Sequence, residues 1–168
     1  DKDFKSILTN IKAKNPDVLL IPDYYETIAL VTKQAREVGL QSTFLGGDGW
    51  DGVIGKVDNK VIENSYFTNH YALDDPSELI QNFIKSYEEE YGEKPNAFAA
   101  LGYDAATTLL EAMKKAGSTD KDKVVEAMKN TDLDLVSGHT KFDENRNPIK
   151  EVSIIKITNG ENKLETKK

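Results

Sequence analysis

NPDVLLIPDYYETIALVTKQAREVGLQSTFLGGDGWDG, residues 15–52, is the stretch that decides the fold of this chain. Asn15-Pro16-Asp17 breaks a helix, and the apolar run Val18-Leu19-Leu20-Ile21 that follows reads as a short buried strand. From Tyr25 to Val38 the apolar residues Ile28, Val31, Ala35 and Val38 fall on one helical face. Gly39 ends that helix, and Thr43-Phe44-Leu45 supplies a second brief strand. Upstream, Phe4, Ile7, Leu8 and Ile11 repeat at helical spacing. The unit is therefore α-β-α-β, the pattern of a parallel sheet with covering helices, and the fold class it implies is a three-layer α/β/α arrangement with a mostly parallel sheet.

Downstream, Ser65 to Ala72 (SYFTNHYA) is a third extended run. Asp75-Pro76-Ser77-Glu78 then offers an N-cap, a proline at the first helical position and an acid at the third. The spacing predicts a helix with Leu79, Ile80, Phe83, Ile84 and Tyr87 inward, stopping near Gly92. A second helix runs from about Ala97 to Ala116 and ends at Gly117, and a third from about Asp120 to Lys129 uses Val124, Val125 and Met128. Tyr87 and Tyr91 lie on the apolar helix face and read as packing groups. In the tail, Thr140-Lys141-Phe142, the polar turn Asp143-Glu144-Asn145-Arg146-Asn147 and Val152 to Ile157 read as a C-terminal β-hairpin. There is no internal repeat and no low-complexity segment.

With 168 residues, 38% of them hydrophobic, the chain can form one globular domain or parts of two. Its net charge of −7 comes from acids spread along the chain, which disfavours a phosphate backbone as partner and so excludes nucleic acid. No apolar run approaches the roughly 20 residues that span a bilayer. Absence of cysteine rules out thiol chemistry and disulfides. A start at Asp1 without Met reads as a processed protein or an excised fragment.

Catalytic signatures are missing. His70 and His139 lie far apart and neither has a second His or Glu four residues on, so no helical zinc site is expected and each reads as a surface or hydrogen-bonded group. There is no nucleophile elbow, no P-loop and no dinucleotide fingerprint. The turn at 143–147 lacks the spacing of a calcium loop. Neither a metal nor a cofactor is expected, and the chain does not read as an enzyme.

Open sheets of this kind bind ligands in the crevice beyond the carboxyl ends of their strands. Two loops leave such ends, Pro22-Asp23-Tyr24-Tyr25-Glu26 and Gly46-Gly47-Asp48-Gly49-Trp50, and they are expected side by side. The glycine-rich loop carries acids and no lysine, so it repels an anion and welcomes an ammonium. Tyr24 adds a phenol, and Trp50, the chain's one tryptophan, offers a cation-attracting face. The alternative is an ordinary strand-to-helix turn in which Asp48 caps a backbone amide.

Four motifs in order, DFKSILTNIKAKNPDVLLIPDYYETIALVTKQAREVGL, GGDGWDG, AFAALGYDAATTLLEAM and SGHTKFDENRNPIKEVSIIKI, make the chain resemble the branched-chain amino-acid receptors of ABC importers. These are the Leu/Ile/Val-binding proteins among the type I periplasmic binding proteins. The similarity runs through essentially the whole chain, yet members are about twice as long and have two α/β lobes of Rossmann or flavodoxin-like type. The chain is similar to their C-terminal half. The resemblance implies one compact α/β unit over residues 1–168, in which 1–65 and 138–168 belong to the second lobe while the helical stretch 75–130 packs on the first.

The resemblance also implies the site. Asp48 stands where the family places the acid that takes the ligand's ammonium, and Gly47 belongs to the same loop. Tyr24 matches the tyrosine after the first strand, with Tyr25 as the fallback one residue on, and Trp50 is implied as a contact with the ligand's side chain. Many family members carry Glu at the acid position, and the shorter Asp48 leaves room that a different ligand could use. The implied function is extracytoplasmic capture of a branched-chain or other apolar amino acid and its delivery to the importer's membrane subunits, from the periplasm or as a cell-surface lipoprotein. The alternatives are a ligand-sensing domain of a signalling receptor or regulator, which shares the fold, and a flavodoxin-like enzyme, which requires a phosphate loop that is missing. If the chain is a fragment, apolar surface that meets the absent strands is exposed, and such surface favours a homodimer of the fragment.

Overall fold

A computed structural model describes residues 2–168; Asp1, at which the segment 1–65 begins, lies outside the described residues. In chain order the elements are α1 (Lys5–Lys12), β1 (Val18–Leu20), α2 (Tyr25–Glu37), β2 (Thr43–Gly46), a 3-10 turn (Asp48–Trp50), α3 (Asn59–Ile62), β3 (Tyr66–Asn69) and α4 (Glu78–Tyr91). There follow α5 (Ala97–Ala116), α6 (Lys121–Met128), β4 (Asp132–Leu135), β5 (Gly138–Phe142), β6 (Pro148–Ile149), β7 (Ser153–Thr158) and β8 (Glu161–Lys167). The chain divides into two compact units, one comprising residues up to Asp74 with Ser153–Lys167, the other Asp75–Val152 with Lys168.

The first unit is built on a five-stranded sheet in the order β1-β2-β3-β7-β8. The first three strands are parallel, with Val18 opposite Thr43 and Leu45 opposite Tyr66. β7 joins β3 antiparallel, Phe67 facing Ile155, and β8 folds back on β7 as the C-terminal hairpin. The fold class is therefore the expected one, a mixed α/β unit whose sheet carries three parallel strands and closes with a C-terminal hairpin. Its core gathers Ile28, Phe44, Trp50, Ile62, Phe67, Ile155 and Ile157, all essentially sealed from solvent. Burying a large apolar side chain stabilises by roughly 1.5–3 kcal/mol, so this cluster is the main source of the unit's stability. Arg36 ties the end of α2 to its surroundings: its Nη1 donates to the carbonyls of Leu40 and Ser42 at 2.8 and 3.0 Å, and its Nε to Val61 at 3.2 Å. The guanidinium stands 4.0 Å from the Phe44 ring centroid, and burial lowers its pKa.

The second unit holds α4, α5 and α6 with the antiparallel sheet β4-β5-β6. Local capping sets the bounds of two helices. The Asn96 side chain accepts from the Ala99 amide before α5, and Asp120 accepts from the amides of Asp122 and Lys123 before α6. Asp104, on α5 and buried, accepts from the amides of Val136 and Ser137 at 2.9 and 2.8 Å, which holds the β4–β5 turn.

Four expectations are corrected. The chain forms two compact units, not one, because β4, β5 and β6 pair with one another and not with the large sheet. Of the stretch 138–168, accordingly, only Ser153–Lys167 joins the first unit. Thr140–Phe142 does not form a hairpin with Val152–Ile157: β5 turns through 143–147 into β6, while β7 pairs with β3 and β8. β1 is an edge strand, and its outer side chains Val18 and Leu20 are exposed. Finally, α4 begins at Glu78; Asp75 instead accepts the Ser77 amide at 2.9 Å, shaping the turn before the helix and leaving Pro76 outside it.

Candidate functional site

The carboxyl ends of β1, β2 and β3 lie next to one another because the three strands are parallel neighbours. From the first end comes Tyr24, from the second Gly47 and Asp48, from the third His70. The first two loops are in contact. Trp50 Nε1 donates to the Ile21 carbonyl at 3.0 Å, and the Ile21 amide donates to the Leu45 carbonyl at 2.9 Å. A Cβ at Gly49 would run into the Asp23 carbonyl, and one at Gly46 would overlap the Trp50 indole. Both glycines are required by the protein's own packing. Gly47 differs: its backbone is extended, φ −100° and ψ −168°, and a Cβ there would meet nothing within 4 Å.

Asp48 opens the 3-10 turn with its side chain 58% exposed. No backbone amide among the described residues caps onto its side chain. Its Oδ2 lies 3.2 Å from Nε2 of His70, and the His70 amide donates to Asn69 Oδ1 at 2.8 Å. The turn beneath is pinned, since the Trp50 amide donates to the Gly47 carbonyl and the Asp51 amide to the Asp48 carbonyl. Tyr24 precedes α2 in extended conformation, its ring exposed and its amide donating to Asp23 Oδ1 at 2.7 Å.

Two candidates leave the site. Trp50 is fully buried, its ring stacked on Phe67 with centroids 6.4 Å apart and tilted against Phe44 at 6.3 Å, so it has no face to offer a ligand. The missing Cβ of Gly46 makes the space that draws the indole inward. Tyr25 packs against the core, with Gly52 beside its ring and Lys56 Nζ 5.3 Å from the ring centroid. Lys56 also pairs with Glu26 at 2.8 Å, and that hydrogen bond raises its pKa. Tyr24 is thus the exposed phenol of the pair.

His70 enters the set unforeseen. Reading Ser65 to Ala72 as one strand hid it inside a sheet, but β3 stops at Asn69 and releases His70 into the loop. Extending the crevice rule to the third parallel strand was the signal that could have found it.

A cavity of about 640 Å³ lies in the second unit, lined among others by Ser86, Tyr103, Thr107 and Asp134. Its buried acid, Asp104, has both oxygens occupied by backbone amides, so that carboxylate is committed to the fold. No group of three or more His, Asp or Glu among the described residues could hold a metal ion. No helix among them is long and apolar enough to cross a membrane.

Residues 1–162 match the model of the periplasmic binding protein family. Among solved structures, the chain is similar to a leucine-binding protein, LivK, of Thermotoga maritima, with 37% identity and a TM-score of 0.91 over 99% of this chain and 49% of that one. It is also similar to LivJ, the branched-chain amino-acid transporter substrate-binding protein of Streptococcus pneumoniae, solved with isoleucine. There the identity is 30% and the TM-score 0.87, over 100% of this chain and 48% of that one. A curated relative is the leucine-, isoleucine-, valine-, threonine- and alanine-binding protein of Pseudomonas aeruginosa, 25% identical over 86% of this chain and 39% of its own length. The chain thus spans about half the length of the solved relatives and two fifths of the curated one.

Proposed function

We propose that this chain, which belongs to the periplasmic binding protein family, is the ammonium-binding part of an extracytoplasmic receptor. That receptor captures an apolar, branched-chain amino acid between two lobes and hands it to the membrane subunits of an ABC importer. It carries out no reaction; closure of the lobes on the ligand is the signal that the importer reads. In this reading the first compact unit belongs to the lobe that carries Asp48, and the helical stretch 75–130 belongs against the lobe whose groups take the ligand's carboxylate.

The observation that carries the reading is Asp48: an accessible carboxylate on a pinned turn, at the carboxyl edge of parallel strands, with the Tyr24 phenol on the adjoining loop. A carboxylate and an ammonium about 4 Å apart attract by roughly 4 kcal/mol at an effective dielectric near 20. Closing the cleft without a ligand would strip water from Asp48 and leave the charge without that partner, so the closed state is favoured with an amino acid in place. Gly47 supports the same reading, because its open side lets a small zwitterion approach the backbone.

The test is calorimetric titration of the complete gene product with L-leucine, L-isoleucine and L-valine, with Asp48→Asn alongside. The expected outcome is saturable binding that the variant loses by about a hundredfold, near 2.8 kcal/mol, without a matching loss of thermal stability. Binding that is unchanged in the variant, or absent for every amino acid, refutes the proposal.

A further inference from the structure

We propose that His70 is a positioning and selectivity residue for this site: it holds one oxygen of Asp48 and, through its own charge, sets how strongly the site prefers a ligand that carries an ammonium. The inference rests on the reading of Asp48 as the ammonium's counter-ion.

The geometry supplies the first half. His70 Nε2 is 3.2 Å from Asp48 Oδ2, and the imidazole side chain is 29% exposed where the carboxylate is 58% exposed. To donate to a carboxylate, Nε2 must carry the hydrogen. One lone pair of Oδ2 is thereby engaged, and Oδ1 is the oxygen free of that contact to accept from the ligand. The His70 backbone is itself fixed, since its amide donates to the Asn69 side chain.

The second half follows from chemistry. Nε2 carries a hydrogen in the Nε2–H neutral tautomer and in the imidazolium, so the contact survives protonation. The charge does not. With a neutral imidazole the pair carries one net negative charge, which an ammonium matches. With an imidazolium the pair is neutral, and the ammonium competes with a cation already in contact with the same carboxylate. A carboxylate ligand without an amino group is spared that competition. The other acids carried by the loops at this edge are engaged elsewhere. Asp23 accepts the Tyr24 amide, Asp51 the Asn162 side chain at 3.5 Å, and Asp74 the Leu164 amide. Glu26 of the first loop pairs with Lys56 at 2.8 Å, and Tyr24 and Tyr25 are the remaining ionisable side chains of the two neighbouring loops.

The experiment titrates the complete gene product, wild type, His70→Gln, His70→Ala and Asp48→Asn, at about pH 7.5 and about pH 5, the range across which an imidazole takes up a proton. The probes are L-leucine and 4-methylpentanoate, which is leucine without its amino group. Wild type is expected to lose leucine affinity by about tenfold or more on acidification, while its preference for leucine over 4-methylpentanoate narrows by a similar factor. H70Q keeps a neutral donor. It is expected within about threefold of wild type at the higher pH and flat towards the lower, and H70A about tenfold weaker at the higher pH. His70→Asn replaces H70Q if the latter loses its far-ultraviolet dichroism. Equal acid losses in wild type and H70Q, or an H70A that binds as tightly as wild type, overturn the inference while leaving Asp48 in place. Failure of every variant and of wild type to bind leucine overturns the proposed function instead, and this inference with it.

Discussion

Trp50→Phe tests whether the tryptophan builds the site from behind or touches the ligand from in front. The indole is fully buried, and its Nε1 donates to the Ile21 carbonyl at 3.0 Å, a bond that ties the 3-10 turn to the end of β1. A phenyl ring cannot donate, so the Ile21 carbonyl loses that bond and keeps the Asp23 amide at 3.2 Å, at a cost of about 0.5–1.5 kcal/mol. An indole exceeds a phenyl by roughly 40 Å³, which at about 24 cal/mol per Å³ of residual cavity adds about 1 kcal/mol. The expected loss is therefore about 1.5–2.5 kcal/mol. For a chain of this size that is a fall in Tm of about 3–10 °C. Urea unfolding of this chain followed by far-ultraviolet dichroism measures it, since Trp50 is the one tryptophan of these 168 residues. The wild-type emission should be blue-shifted and poorly quenched by acrylamide. The variant should weaken binding of all amino acids by one common factor and leave their order unchanged. A stability loss under about 1 kcal/mol, a solvent-quenched emission, or a change in the order of ligand preference refutes the core assignment.

The glycines of the same loop should separate stability from binding. Gly49→Ala drives its methyl into the Asp23 carbonyl and is expected to cost about 1–3 kcal/mol in urea unfolding. Gly47→Ala meets no protein atom and should stay within about 0.5 kcal/mol of wild type, while weakening amino-acid binding in calorimetry. The turn between β5 and β6 should carry an acid-sensitive element. The Asn147 amide, then its side chain, then the Asn145 amide lower the pKa of Asp143, so its contribution is full above the range of a free carboxylate and is lost as pH falls through the depressed folded value. Asp143→Ala should raise amide exchange in 143–147 at neutral pH and remove that pH dependence, and exchange rates equal to wild type at every pH would refute it.

Where structure is local, the sequence was legible. The bounds of α5 coincide with the expected Ala97–Ala116 because Asn96 and Gly117 stop the helix by their own backbone chemistry. The α-β-α-β beginning was readable for the same reason, and so was the adjacency of the loops carrying Tyr24 and Asp48, which follows from parallel pairing. Partner choice was not. β5 and β7 both carry a strand pattern, and nothing within either segment says that β7 pairs with Phe67, some ninety residues earlier, while β5 pairs with β4. The exposure of Val18 and Leu20 was hidden too, because Val18-Leu19-Leu20 reads as buried on both faces and nothing within it says which face lacks a covering layer. The site was half legible. An acid among glycines announces its chemistry, but the inward turn of Trp50 depends on space left by Gly46, and the release of His70 depends on a strand ending three residues earlier than its composition suggests.

The glycines also change how the site should be understood. A loop so rich in them invites the idea of a flexible backbone that wraps a ligand, yet Gly46 and Gly49 serve the interior, one admitting an indole and the other a carbonyl. The turn they permit is held by the Trp50–Ile21 bond and by two successive amide-to-carbonyl bonds through Gly47 and Asp48. Asp48 is therefore presented on a backbone already in one conformation, with one oxygen already engaged by His70. Ordering a loop and a side chain on binding costs about 0.5–1.5 kcal/mol for each mobile side chain, and here little of that cost remains to be met. In the proposed receptor, the ammonium's attraction then goes into closing the lobes instead of organising the acid. That predicts a site whose selectivity lies in charge and in the room beside a short Asp, and whose rigidity comes from the buried tryptophan behind it.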